Sequence, residues 1–577
     1  MAEDMSKEKH PRKEYTVIFQ PMGISCRVAE GQSIMDAAAA QDIRLRSDCG
    51  GKGLCGKCAV EITPPEHLSP LIQNELELLS QECIAGGGRL ACSARVAGPL
   101  SVSVSESVLD SQEAIGKSLN GRIGTGERPY GGTYAAEPGP LGVAIDIGTT
   151  TLALYLCDLR SGEILHSAAE ANPQRRFGED VISRIAYCNN HHDGLEALQR
   201  VLINAINKLI GACIGIAGVR RDKIAEVTAV GNTTMQHLFA GLHPGRLGVS
   251  PYMPESCNAR DVRATELGLD LSELCQVHLF PVISGFVGGD TAGVMLSDKP
   301  YLRDEMSLII DIGTNGEIVL GNKDSIWVTS CATGPALEGA HIEHGMRASS
   351  GAIETVHIDP DSYRVDYTVI GSKRGVNPRG LCGSGIIDAV AEMVKTGLIL
   401  ANGRLREGLP GIRVDEQGIG REFAIAGNDH SPGQKRIVLT LADVRQVQLA
   451  KAALSSGIRL LMRKAGIDAI DRLVLTGAFG ARFNWRNAVA IGMLPELVCQ
   501  ADVSTVENAA GRGAVLALLD EREKLEIQEV VRKAHLLELA DDPDFAMEFI
   551  RHTAFPEAGR VDGVCGELTE GTGVTRS

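Results

Sequence analysis

The sequence predicts a multidomain chain of mixed α+β and α/β class, in which a small cysteine-bearing domain precedes a two-lobed body. Three observations support this prediction. A chain of 577 residues is too long for a single hydrophobic core. Four cysteines near the N-terminus follow a metal-binding pattern, and one glycine-bearing hairpin motif occurs twice further along. We therefore expect domains over residues 1–108, 141–302 and 303–560, with a linker over 109–140 and a tail over 561–577.

Composition argues against several classes of function. A net charge of −16 disfavours a nucleic-acid partner, because phosphates attract a basic surface. We find no unbroken apolar run of about 18 residues and expect no membrane span. The charged N-terminal segment lacks the apolar centre of a signal peptide. Fifteen cysteines are too few for a disulfide scaffold in a chain of this length, so we interpret them as thiols and metal ligands and expect a cytoplasmic location.

The first domain reads as a small α+β unit. YTVIF and ISCRVAE are strand-like segments around a Pro-Met-Gly turn, and Ser33 is placed to cap the helix IMDAAAAQ. The later segment RLACSARVAGPLSVSV is strand-like again. Between these segments lies the loop SDCGGKGLCGKC, which carries four glycines among its cysteines. The loop is therefore the first candidate site.

The cysteine spacing favours an iron–sulfur cluster. Cys49, Cys55 and Cys58 follow the pattern C-x5-C-x2-C, and Cys92 comes 34 positions later. Glycines let such a loop wrap around an inorganic core and turn backbone N–H groups toward sulfur. A zinc site usually takes two paired knuckles, and only one such pair is present. The segment resembles [2Fe–2S] ferredoxins with the longer first spacing of the adrenodoxin-like branch. This resemblance implies a β-grasp fold with a [2Fe–2S] cluster on these four cysteines.

Residues 109–140 are rich in glycine, proline and polar residues, which is the composition of a linker. A tether would let a small electron carrier move between a donor and an acceptor. An ordinary domain boundary has the same composition, so both interpretations stay open.

A repeated hairpin points to nucleotide binding. GVAIDIGTTTLALYL begins at Gly142 and LIIDIGTNGEIVLG begins at Leu308, and each places Asp-Ile-Gly-Thr between two apolar strands. Glycine lets backbone N–H groups face a phosphate, threonine adds a donor and aspartate can hold Mg²⁺. One such hairpin could be a simple tight turn, but two copies about 165 positions apart favour a nucleotide fold. A G-x4-G-K-[ST] motif is missing from the sequence, so a P-loop enzyme is not indicated.

This arrangement resembles the acetate kinase, sugar kinase, Hsp70 and actin superfamily, in which two RNase H-like lobes clasp ATP. The resemblance implies a first phosphate loop of Asp146, Gly148, Thr149 and Thr150. It implies a second loop of Asp311, Gly313, Thr314, Asn315, Gly316 and Glu317, with Asp311 and Glu317 as the candidate catalytic residues and Mg²⁺ bound with the ATP. The first loop belongs either to a working nucleotide lobe or to a middle domain that binds no nucleotide.

Further glycine-rich turns are candidates for the same cleft. LVLTGAFGARFN, with Gly477 and Gly480, resembles the element that touches adenosine in this superfamily, and it follows a segment with helical apolar periodicity. The turns ATGPALEGA at Gly334 and GFVGGDTAG at Asp290 are expected to line the cleft as well.

A ferredoxin module fused to a two-lobed ATPase resembles the reductive activators of corrinoid proteins. The resemblance runs from the ferredoxin segment through a middle region with VGNTTMQHLFAG to the ATPase lobe. It implies ATP-dependent transfer of one electron to Co(II) of a corrinoid protein, which restores Co(I) for methyl transfer, and it implies a low-potential electron donor. The chain has no D-x-H-x-x-G signature, so we expect the corrinoid to belong to the partner. The sequence leaves the oligomeric state open, and a homodimer through the ATPase half is compatible with it.

Other functions stay open at this point. One is an ATP-driven electron injector similar to the activators of 2-hydroxyacyl-CoA dehydratases, which hold a [4Fe–4S] cluster between two subunits; Cys331 and Cys382 would be its ligands. Another is a ferredoxin-like carrier with a non-catalytic docking scaffold. A third is a metabolite kinase whose ferredoxin domain senses redox state. Nucleotide turnover with and without a corrinoid protein separates them.

Overall fold

The computed structural model describes residues 13–41, 43, 45–47, 51, 53, 56–105, 108, 119, 121–122 (backbone only), 140–371, 376–414, 420–427, 436–477 and 483–557. The chain divides into two compact units. One comprises residues 1–112 and 174–179, and the other comprises residues 113–173 and 180–577.

The first unit is built on a mixed sheet with the strand order β2-β1-β5-β3-β4. Its strands are β1 (Glu14–Gln20), β2 (Ile24–Ala29), β3 (Ala59–Thr63), β4 (Gly88–Leu90) and β5 (Leu100–Ser103), and its helices are α1 (Ile34–Ala39), α2 (Gln73–Leu78) and α3 (Gln81–Ala85). β1 runs parallel to β5, and the other neighbours are antiparallel. α1 begins where predicted, because the Ser33 hydroxyl accepts a hydrogen bond from the Asp36 N–H at 3.0 Å. The predicted β-grasp fold is confirmed.

The second unit contains two lobes. The first lobe is built on a sheet of order β11-β12-β10-β7-β8-β9-β6. Its strands are β6 (Gly121–Arg122), β7 (Leu141–Ile147), β8 (Thr151–Asp158), β9 (Glu163–Ala171), β10 (Ile224–Gly231), β11 (Arg260–Arg263) and β12 (Gln276–Leu279), and the helices are α4 (Val181–Asn190), α5 (Gly194–Ala217), α6 (Thr233–Phe239) and α7 (Gly289–Asp298). β7 to β9 form an antiparallel meander, β10 pairs in parallel with β7, and β12 pairs in parallel with β10. β6 falls in the predicted linker and pairs with β9 at the sheet edge.

Helix α5 is long and apolar enough, by length and composition alone, to cross a membrane. By this measure, the sequence-based expectation that the chain contains no segment long and apolar enough to span a membrane does not hold. In this fold α5 packs on β8 and β9 and buries one face, which includes Leu198, Leu202 and Ile206. Its other face carries exposed Arg200 and Lys208. The helix therefore has the amphipathic pattern of a core helix.

The second lobe repeats the arrangement with the order β23-β22-β13-β14-β15-β24. Its main strands are β13 (Ser307–Ile312), β14 (Gly316–Gly321) and β15 (Ile326–Cys331), followed by β16 (Ala352–Ile358), β17 (Val365–Val369), β18 (Gly380–Leu381), β19 (Ile412–Val414), β20 (Arg421–Ala426), β21 (Ile437–Thr440), β22 (Arg472–Thr476), β23 (Asp502–Thr505) and β24 (His535–Leu536). The helices are α8 (Gly383–Lys395), α9 (Leu441–Ala465), α10 (Trp485–Ala490), α11 (Ala509–Leu519), α12 (Glu521–Lys533) and α13 (Phe545–Arg551). β16 to β18 and β19 to β21 form two small separate sheets.

The two lobes share one topology. An antiparallel meander is extended on the side of its first strand by two parallel strands, β10 and β12 in one lobe and β22 and β23 in the other. Asp146 and Asp311 are each the penultimate residue of the first meander strand. The structure therefore confirms two RNase H-like lobes and places the two aspartates at equivalent positions.

Helix α11 connects the lobes. It packs against α7, β7 and β10 of the first lobe. α7 and α11 cross at Gly293 and Gly513, where a Cβ on Gly513 would overlap the Gly293 carbonyl oxygen. Glycine is required there because the two backbones are in direct contact.

Candidate functional site

Two of the four predicted cluster cysteines meet in the N-terminal unit. Cys58 directly precedes β3 and Cys92 follows β4, and the pairing of Ala59 with Leu90 brings them together. Their Sγ atoms lie 3.4 Å apart, and the residues are 1% and 6% exposed. Two buried thiols this close fit ligation of one metal atom. Cys49 and Cys55 lie outside the described residues.

Three glycines of the cysteine loop that lie among the described residues have a left-handed backbone. Gly51, Gly53 and Gly56 have φ angles of +80°, +70° and +70°. Residues with side chains rarely adopt this region, so the glycines permit a tight wrap of backbone around a metal core. The fit of the residues to a [2Fe–2S] cluster thus rests on converging thiols and on a glycine-dependent loop.

A buried ion pair fixes the helix beside this loop. The Glu75 carboxylate accepts hydrogen bonds from Arg89 Nε and Nη2, both at 2.9 Å, and from the Leu90 N–H at 3.0 Å. Burial alone would raise the pKa of Glu75, but the hydrogen bonds and the charge of Arg89 outweigh it and hold the pKa below its usual value. On the preceding residue of α2, Asn74 Nδ2 donates to the Gly53 carbonyl at 3.3 Å. The ion pair therefore supports both the cluster loop and the strand that leads to Cys92.

The second phosphate loop carries an acidic centre. Asp311 at the end of β13 pairs in register with Glu317 at the start of β14. Burial and the negative charges of Asp290 and Asp311 raise the pKa of Glu317 well above its usual value. Asp290 comes from the first turn of α7 in the first lobe. We call Asp290, Asp311 and Glu317 the acidic centre; its carboxylates come from both lobes.

The acidic centre suits Mg²⁺ bound together with a nucleotide. Across the part of the chain that the structure describes, no group of three or more His, Cys, Asp or Glu side chains is placed to hold a metal ion by itself. Mg²⁺ commonly binds through one or two carboxylates while water and substrate phosphates fill its other positions. In that mode Asp311 and Glu317, which are register partners, would supply the protein's share of the ligands, and nucleotide phosphates and water would supply the others.

Hydrogen bonds hold the second loop in place. Thr314 Oγ1 donates to Glu338 Oε1 at 2.6 Å, and Thr333 Oγ1 donates to the Thr314 carbonyl at 3.2 Å. The Gly313 N–H donates to the Asn315 carbonyl at 2.9 Å. Glu338 was not predicted as a site residue, although its turn, ATGPALEGA, had been singled out. The signal was the glycine-rich composition, which does not show which side chain faces Thr314.

Several of the predicted glycines lie around the second loop. Gly316 begins β14, and a Cβ there would lie 3.0 Å from Leu454 Cδ1 and 3.1 Å from Thr333 Cγ2. Gly334 has a φ of +73° with open space where a Cβ would point. Gly477 has a φ of +94°, and its backbone lies against Asp311. The parallel pairing of β13 with β22 causes this contact, because Asp311 is the register partner of Thr476. Gly480 lies outside the described residues.

The first loop is held by protein groups on several sides. Thr149 Oγ1 accepts from Asn232 Nδ2 at 2.8 Å, and the Thr149 carbonyl accepts from Arg184 Nη2 at 2.5 Å. Asn172 Nδ2 donates to the Gly148 carbonyl at 2.9 Å, and its N–H donates to the Thr150 carbonyl at the same distance. These bonds fix the loop in advance of any ligand.

The three residues that support the first loop were not predicted. Arg184 is fully buried, and Asn172 is 1% exposed at the end of the meander. Asn232 belongs to the segment VGNTTMQHLFAG, in which no residue type or spacing by itself indicates a site residue. Asp146 is 3% exposed at the base of the loop. The geometry is compatible with either interpretation of this loop, as a phosphate contact or as a structural support.

Cys331 and Cys382 lie in the protein interior. Each is 1% exposed. Burial raises the pKa of both thiols, and the charge of Glu317 raises that of Cys331 further. A cluster shared between two subunits needs ligands at the surface, and these side chains do not reach it. The geometry therefore argues against the dehydratase-activator arrangement.

Three family models match successive parts of the chain. Residues 17–97 match a 2Fe-2S iron-sulfur cluster binding domain, residues 141–300 the RACo middle region, and residues 305–562 the C-terminal domain of RACo, described as the ASKHA domain. The corrinoid activation enzyme RamQ of Eubacterium limosum is 38% identical over 425 residues, which cover 72% of this chain and 70% of that protein. This chain is a member of the RACo family.

Two further comparisons agree with RACo membership. The solved structure of a reductive activator for corrinoid, iron-sulfur protein is 31% identical to this RACo chain with a TM-score of 0.66, and the match covers 94% of this chain and 99% of the other. The Co(II) methylated amine-specific corrinoid protein reductase of Methanosarcina barkeri is 27% identical over 386 residues, or 61% of this chain and 66% of that protein. The N-terminal match supports a [2Fe–2S] cluster in this RACo protein, and the ASKHA match indicates nucleotide binding.

Proposed function

We propose that the protein is an ATP-dependent reductive activator, which delivers one electron to Co(II) of a corrinoid protein and restores Co(I) for methyl transfer. The observation that carries this proposal is the presence, on one RACo-family chain, of two converging buried thiols and of an acidic centre contributed by both lobes. Similar proteins are named for corrinoid activation and for reduction of a Co(II) corrinoid protein.

The four cysteines Cys49, Cys55, Cys58 and Cys92 are proposed to hold the cluster. When bound, the [2Fe–2S] cluster supplies a one-electron carrier. The protein shields the site from water through the burial of Cys58 and Cys92 and keeps the loop in shape through its glycines and α2. The electron comes from a low-potential donor whose identity the chain does not specify.

ATP is needed because the reduction potential of the Co(II)/Co(I) couple is very negative. For one electron, each ~59 mV by which the potential of the donor cluster lies above that of the cobalt lowers the equilibrium constant for electron transfer about tenfold. Nucleotide can offset this only if it favours a complex in which the gap is smaller. The acidic centre provides the link, since Asp290 lies in one lobe and Asp311 and Glu317 in the other. Binding of nucleotide between them therefore favours one relative placement of the lobes, which the corrinoid partner can recognise.

Within this site, Asp311 and Glu317 are proposed to position Mg²⁺ and to be the catalytic residues. Thr314, Gly313, Asn315 and Gly316 would face the phosphates, and Gly334 and Gly477 the remainder of the nucleotide. The hydrogen bond from Thr314 to Glu338 fixes the shape of the loop, and the contact of Gly477 with Asp311 brings the two segments together. The first loop, from Asp146 to Thr150, is proposed as the wall contributed by the first lobe.

The proposal extends to the setting in which the protein works. We propose a cytoplasmic protein with no nucleic-acid or membrane partner, which forms a homodimer through the ATPase half. Size-exclusion chromatography with light scattering tests the dimer, and a mass of about twice 61.3 kDa supports it.

The deciding experiment supplies Co(II)-corrinoid protein, a low-potential reductant and ATP, and follows Co(I) by its absorption spectrum. Wild type should form Co(I) only with all three present, and it should hydrolyse ATP faster when the corrinoid protein is added. Asp311→Asn should stop Co(I) formation while the cluster spectrum stays intact, since the cluster belongs to another domain. Cys55→Ser should do the converse, abolishing electron delivery and sparing nucleotide binding.

Other outcomes would favour the alternatives. If Asp311→Asn forms Co(I) as fast as wild type, ATP is not the coupling agent and the docking-scaffold interpretation replaces this one. If ATP turnover is indifferent to the corrinoid protein but rises with a small metabolite, the kinase interpretation gains. Four irons per chain would favour the dehydratase-activator interpretation.

A further inference from the structure

The first turn of α11 touches both lobes. Asn508 is the N-cap residue of this helix, with a φ of +42° and 3% exposure. Its Nδ2 donates a hydrogen bond to the hydroxyl of Tyr155, and its Oδ1 accepts from the Gly511 N–H at 3.3 Å. Tyr155 lies in β8 of the first lobe and is fully buried. One amide side chain thus caps the helix and bonds to the first lobe.

The same turn bonds to the second lobe. The Ala509 N–H donates to Thr476 Oγ1 at 3.0 Å, and Thr476 is fully buried. Thr476 is the register partner of Asp311 and precedes Gly477, whose backbone contacts the Asp311 carboxylate. The helix start is therefore anchored directly beside the acidic centre.

On the other side, Tyr155 adjoins the first loop. It pairs with Ala144 on β7, two residues before Asp146, and burial together with the charge of Asp146 raises its pKa well above the usual value. The phenol therefore keeps its proton at neutral pH. A Cβ on Gly511 would lie 2.8 Å from the Tyr155 ring, so glycine at this position lets the ring pack on the helix turn.

We propose that Tyr155 and Asn508 are positioning residues that couple the two phosphate loops. Their hydrogen bond, continued through the first turn of α11 to Thr476, fixes the distance between the Asp146 loop and the Asp311 loop. The inference rests on the proposed ATP-dependent function and adds to it how the state of one lobe reaches the other. Neither the Tyr155 hydroxyl nor the Asn508 amide has access to water. A relative movement of the lobes must therefore either preserve this hydrogen bond or leave two buried polar groups without it, which costs free energy.

Two substitutions remove this bond and little else. Tyr155→Phe keeps the ring and deletes the hydroxyl. Asn508→Ser keeps an oxygen for the Gly511 N–H, but its shorter side chain has no second polar atom to reach the Tyr155 hydroxyl. Each should raise the KM for ATP by about three- to tenfold, which is the effect of one buried hydrogen bond. Each should also reduce the acceleration of ATP hydrolysis by Co(II)-corrinoid protein, with kcat in its absence nearly unchanged. The double variant should be no worse than the poorer single variant, because both remove the same bond.

Thr228→Val is the matched control. Thr228 Oγ1 is buried in β10 of the first lobe and donates to the Ala514 carbonyl of α11 at 2.8 Å, beyond the first turn. Its loss should lower the melting temperature much as Tyr155→Phe does, with the KM for ATP and the response to corrinoid protein unchanged. The cluster spectrum of every variant reports whether the first domain is folded.

The outcomes distinguish the inference from the proposed function. If wild type couples ATP to Co(I) formation while Tyr155→Phe does so with an unchanged KM and an unchanged response, the inference fails and the function stands. Additive effects in the double variant, or an equal effect of Thr228→Val on KM, would also overturn it. A wild-type protein that does not turn over ATP would overturn the proposed function, and the inference with it.

Discussion

Gly477 packs directly on the carboxylate of Asp311. A Cβ on residue 477 would overlap Asp311 Oδ1 and would lie 2.5 Å from the Ile312 carbonyl oxygen. The φ of +94° at this residue is also one that side-chain-bearing residues avoid. Two glycine-rich segments more than 160 positions apart in the sequence therefore form one site.

Gly477→Ala should stop ATP turnover, because the new methyl group must displace the Asp311 carboxylate. The matched control is Gly466→Ala at the C-terminal end of α9, where φ is +68° and a Cβ would meet nothing within 4 Å. Both changes carry a backbone cost of about 1–2 kcal/mol. Only the first should abolish nucleotide turnover. Equal activities of the two variants would show that the contact with Asp311 is irrelevant.

The cluster assignment predicts the metal content. Anaerobically purified protein should contain two irons and two sulfides per chain, and Cys58→Ser or Cys92→Ser should lower both, because these buried thiols lie 3.4 Å apart. Cys83→Ser is the control: Cys83 is half-buried and packs on Gly88. Full iron content in Cys58→Ser and in Cys92→Ser would contradict the assignment.

Much of this architecture follows from local sequence. The Asp-Ile-Gly-Thr hairpins form as predicted, since apolar strands and a glycine turn specify them without distant partners. The long helix before Gly477 was predicted from its apolar period, and the structure ends it at Gly466 in the left-handed conformation. Duplication of the hairpin then indicated two lobes.

The composition of the sites depends on tertiary contacts that the sequence does not encode locally. The glycine-rich turn at Asp290 was a candidate from the sequence, but no periodicity shows that α7 of the first lobe brings its charge close to Asp311 and Glu317. Arginine side chains usually lie at the protein surface, but Arg184 is fully buried under the first loop. Cys49, Cys55 and Gly480 lie outside the described residues, so their roles stay predictions.

The bond between Thr314 and Glu338 predicts a role for a hydroxyl. Thr314→Val preserves shape but removes the donor to Glu338 Oε1, leaving that carboxylate without its 2.6 Å hydrogen bond. A hydrogen bond to a charged group contributes about 1.5–3 kcal/mol, so ATP turnover should fall by about tenfold or more. Thr368→Val is the control, since its hydroxyl pairs with Thr355 on an exposed strand. If Thr314→Val turns over ATP as fast as wild type, the second loop does not contribute to the nucleotide site.

The Glu75–Arg89 ion pair predicts how the first domain responds to acid. The pKa of Glu75 in the folded protein lies below the usual value of about 4.3. A carboxyl with a lowered pKa binds fewer protons folded than unfolded, so its stabilisation is complete above the unfolded pKa and is lost as pH falls through the folded one. Glu75→Gln should cost about 3 kcal/mol at pH 7, because it leaves Arg89 buried without a counter-charge.

The measurement is the urea midpoint for hydrogen–deuterium exchange of the α2 peptide, followed by mass spectrometry at several pH values between 7 and 3.5, since acid releases cluster sulfide and makes absorbance unsuitable. The urea midpoint of wild type should exceed that of Glu75→Gln by a constant difference down to about pH 5. Below that pH the difference should shrink as the wild-type carboxyl takes up its proton. The control is Glu82→Gln, an exposed glutamate on α3, which should follow wild type throughout. A margin that stays constant down to pH 3.5, or one that is absent at pH 7, would show that the ion pair does not stabilise the helix beside the cluster loop.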